Sequence, residues 1–187
     1  INSITSQIKE EKNLNHSAEA KLKSGNYDEA LEDFLQLIKL DQKNIDYNYK
    51  LGVCYLNTNI NKSKALPYLE NVVRSENHNP NADFLLGRAY QYANRFDDAI
   101  TMFNKYKNSG KGTDENIKSV DLSIQHCLNA KELVKFPIDI TFQSLGSKIN
   151  SQSADYYPFV TEDEAFMLYN SKRPVNEKAE KSLNGQY

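Results

Sequence analysis

The residue types that most often do chemistry occur in this chain, but their spacing does not build a site. His16, His78 and His126 stand alone, and no HExxH or Cys/His spacing joins them into a metal-ligand set. No GxSxG sequence places a serine on a nucleophile elbow. We therefore predict no catalytic residue, no metal site and no cofactor, and a chain that is not an enzyme.

The run Gly110-Lys111-Gly112-Thr113 has the composition of part of a phosphate-binding loop. Lys105 stands where that loop needs its first glycine, and a helical pattern rather than a strand precedes it. We interpret the run as a helix stop, with Gly110 in the left-handed conformation and Thr113 or Asp114 starting the next helix.

The elements that could position a functional surface come from an internal repeat. Residues 25–31 (GNYDEAL) and 94–100 (NRFDDAI) are near-copies, and alanine recurs at Ala30, Ala65 and Ala99, in steps of 35 and 34 residues. A period of this length indicates helical hairpins.

A second small residue keeps the same step at Ala18, Gly52 and Gly87. Two helices approach to about 8 Å only where the side chain at the crossing is small. Leucine and aromatic residues at spacings of three, four and seven surround these positions, which is typical of packed helices.

Two units carry residues that resemble the tetratricopeptide repeat: Leu51, Gly52, Tyr55, Ala65 and Leu69, then Leu86, Gly87, Tyr90, Phe96, Ala99 and Phe103. The resemblance implies a mainly α fold, a helical-hairpin solenoid with repeats at about 11–44, 45–79 and 80–113. The usual tryptophan is absent, Lys21 replaces an aromatic in the first unit, and residues 59–62 add one residue to the second turn.

The repeats are flanked by further helical sequence. Residues 114–134 carry an apolar stripe and are predicted to form a helix that caps the last hairpin. The stripe consists of Ile117, Val120, Ile124, Cys127, Leu128 and Leu133.

Residues 1–10 are interpreted as a frayed lead-in or part of a helix before the first repeat. Cys54 and Cys127 lie on helical faces and are predicted to be two separate buried thiols. The solenoid would thus span residues 1–134.

The pattern changes after Val134, because Lys135-Phe136-Pro137 ends the helix. Residues 138–142 (IDITF) alternate apolar and polar side chains and are predicted to form a strand. Residues 155–174 indicate a strand, a tight turn and a second strand.

With residues 145–151, this hairpin is similar to the first blade of a WD40-like PD40 propeller, most closely at 150–159 and 168–174. In envelope proteins of Bacteroidota, including the PorE-like component of type IX secretion, tetratricopeptide repeats precede a PD40 propeller and an OmpA-like peptidoglycan-binding domain. The resemblance implies that 135–187 is a linker and the first strands of a blade, truncated at 184–187.

Composition excludes some partners. The formal charge is −2 and the pI is about 6.0, so no basic footprint for nucleic acid is present. The longest apolar run, Ala165 to Tyr169, is far shorter than the ~18 residues that suggest a membrane span. The chain begins at Ile1 rather than Met, which would agree with removal of a leader.

The expected binding surface is the concave face, formed by the first helix of each hairpin. Tyr49, Phe84, Arg88 and Tyr92 are its best anchors, because aromatic and arginine side chains dominate interface hot spots. Val53, Leu56 and Phe84 could instead pack against neighbouring helices. The inward positions are Asn15, Glu19, Lys23, Tyr49, Val53, Leu56, Asn57, Phe84, Arg88, Gln91 and Tyr92.

One familiar use of the family is not expected. Chaperone-binding members hold a terminal carboxylate with Lys and Asn side chains, whereas Asn15, Glu19 and Leu85 occupy several matching places here.

Two functions follow. The first is a non-enzymatic scaffold of the bacterial envelope that docks a partner protein and, in a longer protein, links an outer-membrane or secretion assembly to peptidoglycan. Its location would be periplasmic, beside the outer membrane or cell wall, without membrane insertion. The second is a free-standing peptide-binding adaptor or co-chaperone-like module, which could be cytoplasmic.

Overall fold

The computed structural model describes residues 2–151, 153 and 155–174, with side chains from residue 8 onward. Contacts divide the chain into two units, Ile1–Pro137 and Ile138–Tyr187, which are described separately. Among the described residues, the first unit is helical and the second contains a two-stranded sheet.

The first unit is a solenoid of helical hairpins, as the sequence predicts. Each helix packs against the next, and α3 also contacts α5. Its elements are α1 (Asn2–Lys23), α2 (Tyr27–Leu40), α3 (Ile45–Asn57), a 3₁₀ turn (Lys62–Ala65), α4 (Leu66–Val73), α5 (Asn81–Tyr92), α6 (Phe96–Asn108) and α7 (Asp114–Leu133).

The small residues lie where the two helices of a hairpin touch. A Cβ atom added to Gly87 would lie 2.6 Å from Cε1 of Phe103, and one added to Gly52 would lie 2.5 Å from Cγ of Leu69. Both distances are far shorter than van der Waals contact, so a larger residue at either position would force the opposing side chain to move. Ala18 is fully buried at the corresponding place in the first hairpin.

The turns of the first and third hairpins match in backbone conformation. Gly25 has φ +81° and Asn94, at the same place in the repeat, has φ +58°. Glycine and asparagine are the residues that adopt this left-handed conformation most readily. The second hairpin differs, because its longer turn leads into the 3₁₀ turn, where the Asn61 side chain accepts a hydrogen bond from the Ser63 amide.

Helix α7 begins as predicted but covers less than predicted. The Thr113 hydroxyl accepts a hydrogen bond from the Asn116 amide, and Gly110 has φ +66°. Val120 is buried, whereas Leu133 is 73% exposed. The C-terminal part of the predicted stripe, Leu128 and Leu133, is therefore exposed to solvent. Helix α7 has 20 residues and its partner α6 has 13, so the last turns of α7 extend beyond the helix on which it packs.

Two further sequence predictions, for the N-terminal residues and for the two cysteines, can be compared with the structure of the first unit. Helix α1 runs without interruption from Asn2, so residues 2–10 continue the first repeat rather than forming a separate lead-in. No glycine or proline interrupts that stretch. Cys54 and Cys127 are free and buried, as predicted, and burial raises the pKa of the Cys54 thiol to about 12.

The second unit contains the predicted hairpin. Strand β1 (Asp155–Val160) pairs antiparallel with β2 (Met167–Ser171). The register shifts between Tyr156 and Phe159, where Tyr157 has φ +55°, so one extra residue forms a bulge in β1.

The strand predicted at residues 138–142 is wrong. The backbone of these residues makes no hydrogen bond to any other described residue, and Ile138 and Phe142 are 80% and 92% exposed. Alternation permits a strand, but a strand also needs a neighbouring edge, and none is paired with it. The start of a propeller blade stays a prediction, and its expected end at 184–187 lies outside the described residues.

A polar cluster ties the loop before β1 to the sheet. The backbone amide and hydroxyl of Ser151 each donate to Oδ2 of Asp155 at 2.8 Å. Nη1 of Arg173 donates to the Lys148 carbonyl at 2.8 Å, and its Nη2 lies 3.5 Å from Oδ1 of Asp155. Hydrogen bonds from Ser171 and Ser151 lower the pKa of Asp155 from 3.8 to about 2.

We expect the Asp155 carboxylate to resist acid. Its pKa of about 2 lies below the ordinary 3.8, so its stabilisation of the second unit is present above about pH 4 and is lost as the pH falls through about 2. An NMR titration of the Ser151 amide should show that low midpoint. Asp155→Asn should abolish the titration, whereas a midpoint near the ordinary value would contradict the prediction.

Candidate protein-binding groove

The first helices of the hairpins lie side by side. Side-chain hydrogen bonds join α1 to α3 and α3 to α5, and α5 and α7 line a common cavity. We call the shared surface of α1, α3, α5 and α7 the groove face. Its predicted residues, placed by the structure on the first three of these helices, are Asn15, Glu19, Tyr49, Val53, Asn57, Phe84, Arg88, Gln91 and Tyr92.

The α1 end of the groove face carries an ion-pair network. Nζ of Lys50 lies 2.5 Å from Oε1 of Glu19 and 2.6 Å from Oδ2 of Asp46. The hydrogen bond from Lys50 lowers the pKa of Glu19. Asn15 also donates to Glu19, at 3.4 Å. Two carboxylates share one ammonium here.

Polar contacts hold the middle of the groove face. The Tyr49 hydroxyl accepts a hydrogen bond from Nδ2 of Asn81 at 2.9 Å, which joins α3 to α5. The amide of Asn57 donates to the Val53 carbonyl at 2.8 Å on its own helix. Leu56 is buried, so it belongs to the core between helices rather than to the surface.

Phe84 packs between α5 and α6. Its ring centroid lies 5.9 Å from that of Phe103 and 5.6 Å from that of Tyr106. A cavity of about 60 Å³ opens beside it, lined by Asn81, Phe84, Tyr106, Asn116 and Ser119. Phe84 thus serves the core and also forms a wall of this cavity.

The α5 end presents a cation beside an aromatic ring. Nζ of Lys62 lies 5.5 Å from the ring centroid of Tyr92, which is 48% exposed, and donates to the Leu56 and Thr58 carbonyls. Arg88 and Gln91 are partly buried on the same helix as Tyr92.

Sequence reasoning missed Asn116 and Ser119, although a signal for them was present. They follow Asn81 and Phe84 by 35 residues, which is the step of the repeat. Helix α7 was interpreted only as a cap, whereas its N-terminal half also extends the groove face. Lys62 was missed because it lies in the irregular second turn, where the repeat pattern is interrupted.

A buried polar cluster supports the start of α5. Oδ1 of Asp83 lies 3.0 Å from Nε2 of His78 and 2.9 Å from Nζ of Lys105, and Nδ1 of His78 lies 2.6 Å from the Ser75 carbonyl. These contacts account for His78 as a structural residue. Within the described part of the chain, no group of three His, Cys, Asp or Glu residues could hold a metal ion, and no helix is long and apolar enough to cross a membrane.

Consecutive hairpins with a shared first-helix face define a helical-repeat protein. Residues 18–59 match the family described as TPR repeat, and residues 63–120 match the family described as tetratricopeptide repeat. The chain is therefore a tetratricopeptide repeat protein over these residues. No sequence among the curated proteins matches it.

Solved structures with similar folds cover most of the helical unit at low sequence identity. The type III secretion translocator chaperone SycD of Yersinia enterocolitica has a TM-score of 0.54 and 18% identity, over 65% of this chain and 85% of that one. PcrH, solved in complex with the chaperone-binding region of PopD, has a TM-score of 0.53 and 16% identity, over 64% of this chain and 92% of that one. The Sgt2 TPR domain of Aspergillus fumigatus has a TM-score of 0.52 and 16% identity, over 74% of this chain and 93% of that one.

Core and surface roles on α5 should separate in stability measurements. Phe84→Ala removes the ring that packs on Phe103 and Tyr106, and we expect it to lower the free energy of unfolding by about 3 kcal/mol. Arg88→Ala should change it by no more than about 0.5 kcal/mol. Urea unfolding followed by circular dichroism measures both. An equal loss in the two variants would contradict this division.

Proposed function

We propose that this chain is a non-enzymatic protein–protein interaction module that binds a segment of a partner protein on the groove face. The observation that carries the proposal is the aromatic and cationic surface of α3 and α5, where Tyr49 and Arg88 are partly exposed and Tyr92 is exposed. Such side chains supply most of the energy at protein interfaces.

The shape of the groove face suits a short segment in a defined register. The cavity of about 60 Å³ between α5, α6 and α7 can take one small side chain. Asn116 and Ser119 at its rim offer hydrogen bonds to a bound backbone. PcrH, which has a similar fold, is described in complex with the chaperone-binding region of PopD, and this supports a segment of another protein as the partner.

The groove proposal predicts selective loss of partner capture. The double variant Tyr49→Ala, Arg88→Ala should lose the proteins that the tagged full chain retains from native cells, because both anchors lie on the groove face. The matched control is Glu32→Ala, Lys39→Ala, which alters exposed residues of α2. Circular dichroism checks that both variants fold. Capture that survives the first variant would rule out the groove face.

We further propose that the module works in the bacterial envelope, as a scaffold between a secretion-like assembly and peptidoglycan. The hairpin of β1 and β2 after the repeats supports this, together with the resemblance of residues 145–174 to the start of a PD40 propeller. Contact with peptidoglycan would need an OmpA-like domain in a longer protein. The alternative is a free-standing adaptor that binds peptides in the cytoplasm.

Cell fractionation distinguishes the scaffold from the adaptor. An antibody to this chain should detect a band much larger than 21.4 kDa that stays with the outer membrane and co-sediments with the sacculus. The readout is an immunoblot of soluble, membrane and sacculus fractions. A band near 21.4 kDa in the soluble fraction would instead favour the adaptor.

A further inference from the structure

We propose that the groove face selects a partner segment that carries an aspartate or glutamate next to an apolar side chain, with Arg88 pairing the carboxylate. The inference rests on the proposed function and adds the chemistry of the partner. It depends on how the charges of the third repeat are distributed.

Arg88 has no partner within the described part of the chain. It is partly buried and makes no hydrogen bond, ion pair or ring contact there. The other described arginines are engaged: Arg74 donates to Asn71, Arg95 to Asp98, and Arg173 to the polar cluster of the second unit. Covering a guanidinium from water without compensation costs free energy, so the charge of Arg88 does not stabilise the fold.

No described carboxylate forms an ion pair with Arg88, and five acidic groups in and beside the third repeat are engaged by other side chains. Their partners are Lys105 for Asp83, Lys131 for Asp97, Arg95 for Asp98, Lys107 for Asp121 and the Tyr90 hydroxyl for Glu70. An anion for Arg88 must therefore come from another molecule or from residues outside those described.

A second cation reinforces the positive charge. Lys62 is held by two backbone carbonyls and lies over the Tyr92 ring, with no carboxylate partner among the described residues. At the other end of the groove face, Lys50 is shared by Glu19 and Asp46. The cations Arg88 and Lys62 therefore favour an acidic side chain of the partner beside α5.

The neighbouring surface defines the rest of the ligand. Arg88 follows Phe84 by one helical turn and precedes Tyr92 by one turn, so the three share a face of α5. Phe84 and Tyr106 form the aromatic wall of the small cavity, against which an apolar side chain next to the acid would pack. A guanidinium pairs a carboxylate through two parallel hydrogen bonds, which fixes the register of the segment.

Fluorescence anisotropy on the full chain tests the preference. The probes are three labelled peptides with the same leucine- and alanine-rich frame, which carry aspartate, asparagine or lysine at one position. The aspartate peptide should bind about tenfold more tightly than the asparagine peptide. Arg88→Gln should remove that difference without weakening the asparagine peptide, whereas Arg74→Gln, a matched change at the residue that follows α4, should preserve it.

The outcomes separate this inference from the function on which it rests. An aspartate preference that is absent, or that survives Arg88→Gln, overturns the inference, as does a failure of all three peptides to bind. If Tyr49→Ala then weakens the three peptides equally, the groove face still binds partners and only the acidic selectivity is wrong. Binding that neither Tyr49→Ala nor Arg88→Gln alters would overturn both.

Discussion

The close contact of the two helices in each hairpin is the constraint on which the rest of this structure depends. At Gly52 and Gly87 the opposing side chains, Leu69 and Phe103, lie where a Cβ atom would be. A larger residue at either glycine would require the Leu69 or Phe103 side chain to move away from the helix crossing. Burial of Ala18 at the equivalent place keeps the first hairpin within the same limit.

The regular stack determines which side chains are left for function. The second helices fill the spaces between hairpins with large apolar residues, so the first helices share a surface that the core uses only in part. Phe84 shows the overlap, because its ring packs on α6 and the residue also lines a cavity. Arg88 shows the other extreme, since no described residue uses its charge. A module of this kind can change its partner by changing such side chains without loss of the fold.

Much of this architecture could be predicted from the sequence, because the repeat period and the small residues are both required by the way the helices pack. Thr113 and the hairpin of β1 and β2 also followed from local rules of capping and alternation. The prediction of a strand at 138–142 was wrong, because alternation of apolar and polar residues is a property of one segment, whereas a strand also needs a second strand with which to pair. The candidate site was predictable as a set of positions. Which of them are free, as Arg88 is, depends on distances between helices that no spacing encodes.

The most direct test of the central claim is site-specific photo-crosslinking in native cells. A benzophenone amino acid at Asn57, exposed on the groove face, should capture the same partner band that the tagged chain retains. The same group at Lys39, exposed on α2, should not. Capture from Lys39 but not from Asn57 would place the partner on the opposite face and contradict the account.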